Sequence, residues 1–184
     1  MGSSNMLDVT IRLLGEDEWR LYREVRLAAL REAPAAFVAR FADEESHTDN
    51  FWRERMMRSC RIVAERGDEP IGMVCLALSD EDPETGEVFG LWTAPTARGQ
   101  RIAWDLVTAA CKQAAEEGCT RLYFWAGSDN ASAIGFASSF GFRPTGERRP
   151  VQTHVSATES DTDEVALTLP LAKDPTQPAN PYLD

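Results

Sequence analysis

The stretch Glu87-Val88-Phe89-Gly90-Leu91-Trp92-Thr93-Ala94-Pro95-Thr96-Ala97-Arg98-Gly99-Gln100-Arg101-Ile102-Ala103 decides the fold. Val88 to Thr93 is rich in β-branched and aromatic residues, and Pro95 closes the run because proline cannot donate to a sheet ladder. A strand is expected to stop near Ala94. Beyond Arg98-Gly99, the apolar residues Ile102, Ala103, Leu106, Val107, Ala110 and Ala114 recur three and four apart, the spacing of one buried helix face. This predicts a helix from near Gln100. Its first turn carries backbone N–H groups with no partner inside the helix, and the helix dipole adds partial positive charge there. Such an end binds phosphate. Gly99 lets the backbone approach a ligand closely, and Arg98 and Arg101 place guanidinium groups beside it. The same residues also read as a strand, a tight turn and a solvent-facing arginine pair, because a short glycine turn before a helix is a weak signal.

Upstream, Val9 to Leu13 reads as a strand and Glu16 to Leu30 as a helix ended by Pro34, with Trp19, Tyr22, Leu27 and Leu30 in its buried stripe. The segment from Ala35 to Asn50 mixes Phe37, Val38 and Phe41 with acidic residues, either as a lid or as an ordinary helical hairpin, before a short helix around Phe51 to Ser59. Arg61 to Glu65 and Ile71 to Ser79 read as an antiparallel hairpin joined by the turn Arg66-Gly67-Asp68-Glu69-Pro70. An acidic loop, Asp80 to Gly86, leads into the deciding strand. Downstream, Gly118 stops the long helix and Arg121 to Ala126 forms a fifth strand, giving a βαβ unit with parallel strands. Asp129-Asn130 caps a helix running to about Ser139, and Phe142 to Arg149 and Val165 to Leu171 are the last strands, separated by a polar excursion from His154 to Asp163.

The order β-α-α-β-β-β-α-β-α-β-β resembles the GNAT superfamily of acyl-CoA-dependent N-acyltransferases. Arg98-Gly99-Gln100-Arg101-Ile102-Ala103 is similar to that family's acyl-CoA pyrophosphate loop, Q/R-x-x-G-x-G/A, with Arg101 standing where the family usually has glycine. Asn130-Ala131-Ser132-Ala133-Ile134 followed by Phe140-Gly141-Phe142 looks like the family's N-x-x-A-I helix and the G-F pair after it. The resemblance implies an α/β fold of mixed α+β type: a mostly antiparallel sheet of about seven strands flanked by about four helices, with strands 4 and 5 parallel and splayed. Residues 9–171 are expected to form one domain, between a disordered end or cloning remnant at 1–8 and a flexible, proline-rich tail at 172–184.

Composition bounds the function further. A chain of 184 residues, 43% hydrophobic, can bury a core without disulfides. A net charge of −11 argues against a general nucleic-acid binder and mildly favours a cationic partner. No apolar run approaches the roughly 18 residues of a membrane span, and no signal-peptide core stands at the start, so a cytoplasmic location is expected. Cys60, Cys75, Cys111 and Cys119 have no metal-ligand spacing with His47 or His154 and read as reduced thiols, so no metal is expected.

The resemblance implies acetyl-CoA as cosubstrate. Its pyrophosphate would lie against Arg98, Gly99, Gln100, Arg101, Ile102 and Ala103, and its pantetheine would pair with backbone groups of Leu91, Trp92 and Thr93. Asn130 matches the family position that contacts the pantetheine arm; it also reads as a plain helix cap. Because helical dihedrals do not require glycine, Arg101 is expected to turn outward and reach a CoA phosphate. Amine attack on a thioester needs a base, and Glu87 matches a position where family members carry a catalytic glutamate. Glu87 also reads as a solvated neighbour of the acidic loop, and His154 as an exposed loop histidine. The family's general-acid tyrosine falls on Ala137, which leaves water or Tyr123 as proton source. The expected function is N-acetyl transfer from acetyl-CoA to a primary amine by direct attack in a ternary complex. The alternative is a non-catalytic acyl-CoA sensor or interaction domain. A nucleotide-binding α/β domain fits poorly, because both glycine-rich nucleotide motifs are missing. Trp92, Trp125, Phe37 and Phe41 read either as acceptor contacts or, more simply, as core. A homodimer is a family-level expectation, and the sequence fixes neither acceptor nor acyl length.

Overall fold

The computed structural model describes residues 8–37, 40–150 and 163–171. The expectations for Val38, for His154 and the polar excursion, and for residues 1–7 and 172–184 lie outside the described residues. Seven strands form one sheet: β1 (Val9–Leu13), β2 (Cys60–Arg66), β3 (Glu69–Leu78), β4 (Thr85–Thr93), β5 (Arg121–Gly127), β6 (Arg143–Pro150) and β7 (Asp163–Pro170). Their spatial order is β1-β2-β3-β4-β5-β7-β6. Only β4 and β5 run parallel; the other neighbours are antiparallel, as expected. Arg66 pairs with Glu69, which leaves Gly67-Asp68 as a two-residue hairpin turn. Gly67 takes φ 62°, the left-handed conformation such turns demand.

The helices are α1 (Trp19–Glu32), α2 (Phe41–Glu45), α3 (Asp49–Arg58), α4 (Ile102–Glu116) and α5 (Ala131–Phe140). The expected helix from Glu16 begins instead as a 3-10 turn at Glu16–Glu18, and the segment read as a lid or hairpin contains the single turn of α2. None of the described helices is long and apolar enough to cross a membrane.

Strand alternation divides the core in two. On one face Ile62, Val74, Leu76, Val88, Leu122 and Phe124 meet Leu106, Val107 and Ala110 of α4 and Phe140 of α5. On the other, Val63, Met73, Cys75 and Trp92 meet Tyr22, Val25 and Leu30 of α1 and Trp52 and Met56 of α3. The helices of this second layer are joined through one buried carboxylate. Arg26 of α1 donates Nε and Nη2 to Glu44 at 3.0 and 3.1 Å, and Arg55 Nη1 of α3 lies 3.1 Å from the same group. Burial works against ionisation of Glu44, but the hydrogen bond and charge of Arg26, with Arg55, outweigh it and hold the carboxyl below its usual 4.5. Truncating one member of such a pair leaves uncompensated charge inside.

Glu18 is likewise held below 4.5 by its hydrogen bond with Arg12, and Asp82 below 3.8 by Thr85 and Arg121. Folded-state pKa values below the unfolded ones mean that the unfolded chain binds more protons as pH drops through this range. Stability from these groups is full above about pH 5 and is lost as pH falls through the folded values. Thermal melts should therefore decline on acidification below about pH 4.5, and Glu44→Ala should cost about 3 kcal/mol near neutrality in chemical denaturation. A Glu44→Ala protein as stable as the parent would remove the buried pair from this account.

Candidate functional site

The wedge in the sheet arises from where pairing stops. Thr85 pairs with Arg121 and the register continues only to Val88 with Phe124, although β4 runs on to Thr93 and β5 to Gly127. The β3–β4 register shifts between Met73 and Cys75, and Gly90 there takes φ 64°. Such a bulge bends its strand away from its neighbour. Trp92 and Thr93 still pair with Met73 and Gly72 of β3, but Leu91, Trp92 and Thr93 pair with no described residue of β5. Their backbone edge on that side is open, as an extended ligand with amide groups requires. The Trp92 side chain belongs instead to the α1 layer, where its Nε1 donates to Glu32 Oε2 at 2.9 Å.

The loop after β4 differs from expectation at Arg101. The helix predicted from near Gln100 starts at Ile102, because Gly99 and Arg101 both take left-handed backbone, at φ 76° and 63°. The expectation of helical dihedrals at Arg101 is thereby overturned: this is a conformation glycine adopts freely and an L-residue adopts at a cost of about 1–2 kcal/mol. Its guanidinium lies 5.7 Å from the Trp104 ring. Among the described residues, the backbone N–H groups of Gly99, Gln100 and Arg101 donate to no backbone carbonyl outside the regular elements. A Cβ at Gly99 would meet nothing within 4 Å, so this side of the loop is open. Ile102 is buried against β3, where a Cβ on Gly72 would lie 3.2 Å from its Cγ2, and Ala103 follows it in the first turn of α4.

The loop side chains are already engaged. Arg98 Nη2 lies 2.9 Å from both oxygens of Glu32, at the C-terminal end of α1, so its guanidinium does not stand free beside the loop. Gln100 Nε2 donates to the Thr96 carbonyl at 3.2 Å, and its Oε1 accepts from Arg66. Asn130 caps α5, with Oδ1 accepting from Ala133 N at 3.1 Å; the cap reading holds, and Nδ2 is left for a second role.

Glu87 lies in the paired part of β4, opposite Tyr123 of β5. Its Oε2 is 3.9 Å from Arg149 Nη1, whose Nε donates to Glu164 at 2.7 Å and whose guanidinium stacks 3.9 Å above the Trp125 ring. Glu87 is therefore a half-exposed member of a charged cluster beside the wedge rather than a lone solvated carboxylate. Ala137 is fully buried and offers no proton donor, whereas Tyr123 is half-buried and stacks with Trp125. Phe37 and Phe41 pack against the second core layer under Arg26 and Arg31. Glu32, Arg66, Arg149 and Glu164 went unread in the sequence because each meets its partner only through the fold: Glu32 is 66 residues from Arg98.

No group of three or more His, Cys, Asp or Glu among the described residues could hold a metal ion. All four cysteines are free, and burial pushes Cys111 up to about 12. A cavity of about 200 Å³ lies apart from these residues, lined by Ile134, Pro144, Val165 and Leu167.

The family model described as the Acetyltransferase (GNAT) family matches residues 21–142. Among solved structures, the chain is similar to a Salmonella typhimurium protein determined with its cofactor acetyl-CoA, at 20% identity and TM-score 0.68, over 93% of this chain and 98% of that one. It is similar to the acetyltransferase of GNAT family from Streptococcus pneumoniae at 14% identity and TM-score 0.70, over 90% and 100%. It is also similar to the ribosomal-protein-S18-alanine N-acetyltransferase of Escherichia coli at 15% and 0.63, over 93% and 99%. At these identities the likeness is one of fold. No curated protein matches the sequence.

The left-handed backbone at position 101 makes a test that needs no ligand. Arg101→Gly removes the Cβ clash and should melt no lower than the parent, whereas Arg101→Val should lose at least about 1 kcal/mol, because β-branched residues are outliers there. Equal melting of Arg101→Val and the parent would contradict the backbone assignment.

Proposed function

The chain belongs to the acetyltransferase (GNAT) family, and from that membership we propose that it moves an acetyl group from acetyl-CoA to a primary amine of a small molecule or peptide, by direct attack in a ternary complex. The observation that carries this reading is the open edge at Leu91, Trp92 and Thr93, which adjoins a loop with three uncommitted backbone N–H groups. These residues fit the cosubstrate: amides of Gly99, Gln100 and Arg101 for pyrophosphate at the start of α4, with Ile102 and Ala103 setting its first turn, and the wedge for an extended arm. Arg98 would exchange Glu32 for phosphate, Arg101 would add a second cation, and Asn130 Nδ2 would face the arm. Acetyl-CoA supplies the thioester carbonyl; the C–N bond forms at that carbon as the C–S bond breaks and CoA departs.

Glu87 accepts the proton lost by the amine nitrogen, directly or through one water. Arg149 and Glu164 hold its side chain beside the wedge. With Ala137 in place of a phenol, the departing sulfur takes its proton from water or Tyr123, or leaves as a thiolate, which a thiol pKa of about 8.5 makes tolerable. The net charge of −11 favours the approach of amines, which are cationic until they lose their proton. Use of acetyl-CoA, an intracellular metabolite, supports a cytoplasmic location. Ala137 also favours a second reading, a non-catalytic acyl-CoA sensor.

Thermal melts with and without acetyl-CoA, followed by thiol release with a panel of amines, separate the two. The expected result is stabilisation by about 2.7 kcal/mol at 100 times the dissociation constant, with thiol release that Glu87→Gln lowers about 100-fold while keeping the melt shift. A shift without release from any amine supports the sensor, and no shift at saturation overturns both readings. Glu32→Gln keeps an acceptor for the Trp92 indole but loosens Arg98, and should tighten acetyl-CoA binding about 2- to 5-fold by calorimetry. Weaker or unchanged binding would show that Arg98 is not recruited to the ligand.

A further inference from the structure

Arg61 is the second residue of β2 and is only 4% exposed. Its Nη2 donates to the Arg55 carbonyl at 3.0 Å, but Nε and Nη1 are shielded from solvent and have no hydrogen-bond partner. A guanidinium carries five N–H donors, and burying a cation without a counter-charge is among the costliest things a fold can do. Among the described residues, no carboxylate forms an ion pair with it. The Tyr22 ring lies 4.5 Å away and the Phe89 ring 5.7 Å away, and Cys75 is its cross-strand neighbour. Glu44, the buried carboxylate of this layer, is already shared by Arg26 and Arg55. Three guanidiniums therefore converge on a region holding one carboxylate, in a protein whose net charge is −11.

The register places this surplus charge beside the candidate site. Arg61 pairs with Cys75 and Cys75 with Phe89, so the three form a row on the α1 face of the sheet. Phe89 follows Glu87 by two positions on β4, on the same face, and is 36% exposed. The row thus leads from the wedge inward, past the Phe89 ring, to an unpaired cation.

We propose that Arg61 anchors a carboxylate of the acceptor, so that the acceptor is an amino-acid-like zwitterion: its amine faces Glu87, and its carboxylate reaches Arg61 once the Phe89 ring turns aside. This rests on the reading of the chain as an acetyl-CoA-dependent acetyltransferase acting on amines. A carboxylate supplies the counter-charge that the guanidinium lacks and accepts charge-assisted bonds from it, whereas a neutral amide supplies no charge.

The direct test uses N-acetylglycine and N-acetylglycinamide as non-reactive probes in thermal melts at constant ionic strength, with saturating acetyl-CoA omitted and then present. The acid should raise the melting temperature by about 2 °C or more, the amide should not, and Arg61→Met should abolish the acid's effect. Arg61→Met should itself melt no lower than the parent, since it removes an unpaired buried charge. The activity arm compares each standard amino acid with its carboxamide by thiol release. Acids should lead by about 10-fold or more in kcat/KM, and Arg61→Met should erase that preference with KM for acetyl-CoA unchanged. Equal effects of acid and amide, no effect of either, or an acid preference retained in Arg61→Met each overturn the proposal. If no amine releases thiol yet the acid-specific shift persists and depends on Arg61, the anion site stands and the acetyltransferase reading fails instead.

Discussion

Everything in the candidate site depends on one interruption, the end of β4–β5 pairing at Val88 and Phe124. Backbone N–H and C=O groups in a sheet interior must find partners, so a wedge left open in the middle of a seven-stranded sheet needs either water or a ligand. The bulge at Gly90 produces the divergence, and the α4 crossover that makes the two strands parallel also sets a helix start at the mouth of the wedge. Strand divergence, the open backbone edge and the loop with its unpaired N–H groups before α4 are thus one constraint seen from three sides. The two core layers support it from opposite faces, with α4 and α5 on one and α1 and α3 on the other.

Glu32 links these two halves. Standing at the end of α1, it receives both Arg98 from the loop and the Trp92 indole from β4. A carboxylate in that position competes with any phosphate for the same guanidinium, so the loop is poised by an internal anion before a ligand arrives. Exposed ion pairs of this kind are weak, so the contact is readily exchanged.

Much of the fold was legible because local chemistry and tertiary packing agree. Val9 to Leu13 became β1 without change, the turn expected over Arg66 to Pro70 tightened to Gly67-Asp68, and Pro95 and Gly118 stopped the elements they were expected to stop. Arg101 was misread because its neighbours carry helical periodicity right up to it. Periodicity reports which face is buried and does not report the sign of φ at the first residue outside the helix. The family's preference for glycine there was the better signal, and the physical reason for it is now visible in the backbone. Glu87 was singled out from the family pattern, but its cluster with Arg149 and Glu164 was not foreseen, since β6 and β7 return to that place only through the fold. Arg61 carried no signal at all: it sits in a strand whose apolar neighbours make it look like an ordinary surface arginine at the strand's start.

The shared carboxylate of Glu44 has a consequence for how the molecule opens. Arg26, Glu44 and Arg55 come from three successive helices, so none of the three can detach without stranding charge in an apolar layer. The segment from α1 to α3 is therefore expected to exchange its amide hydrogens as one cooperative unit, separately from the α4–α5 layer that carries the loop. Breathing of the α1–α3 layer would then leave the α4–α5 layer intact, so the two faces of the sheet open on independent clocks.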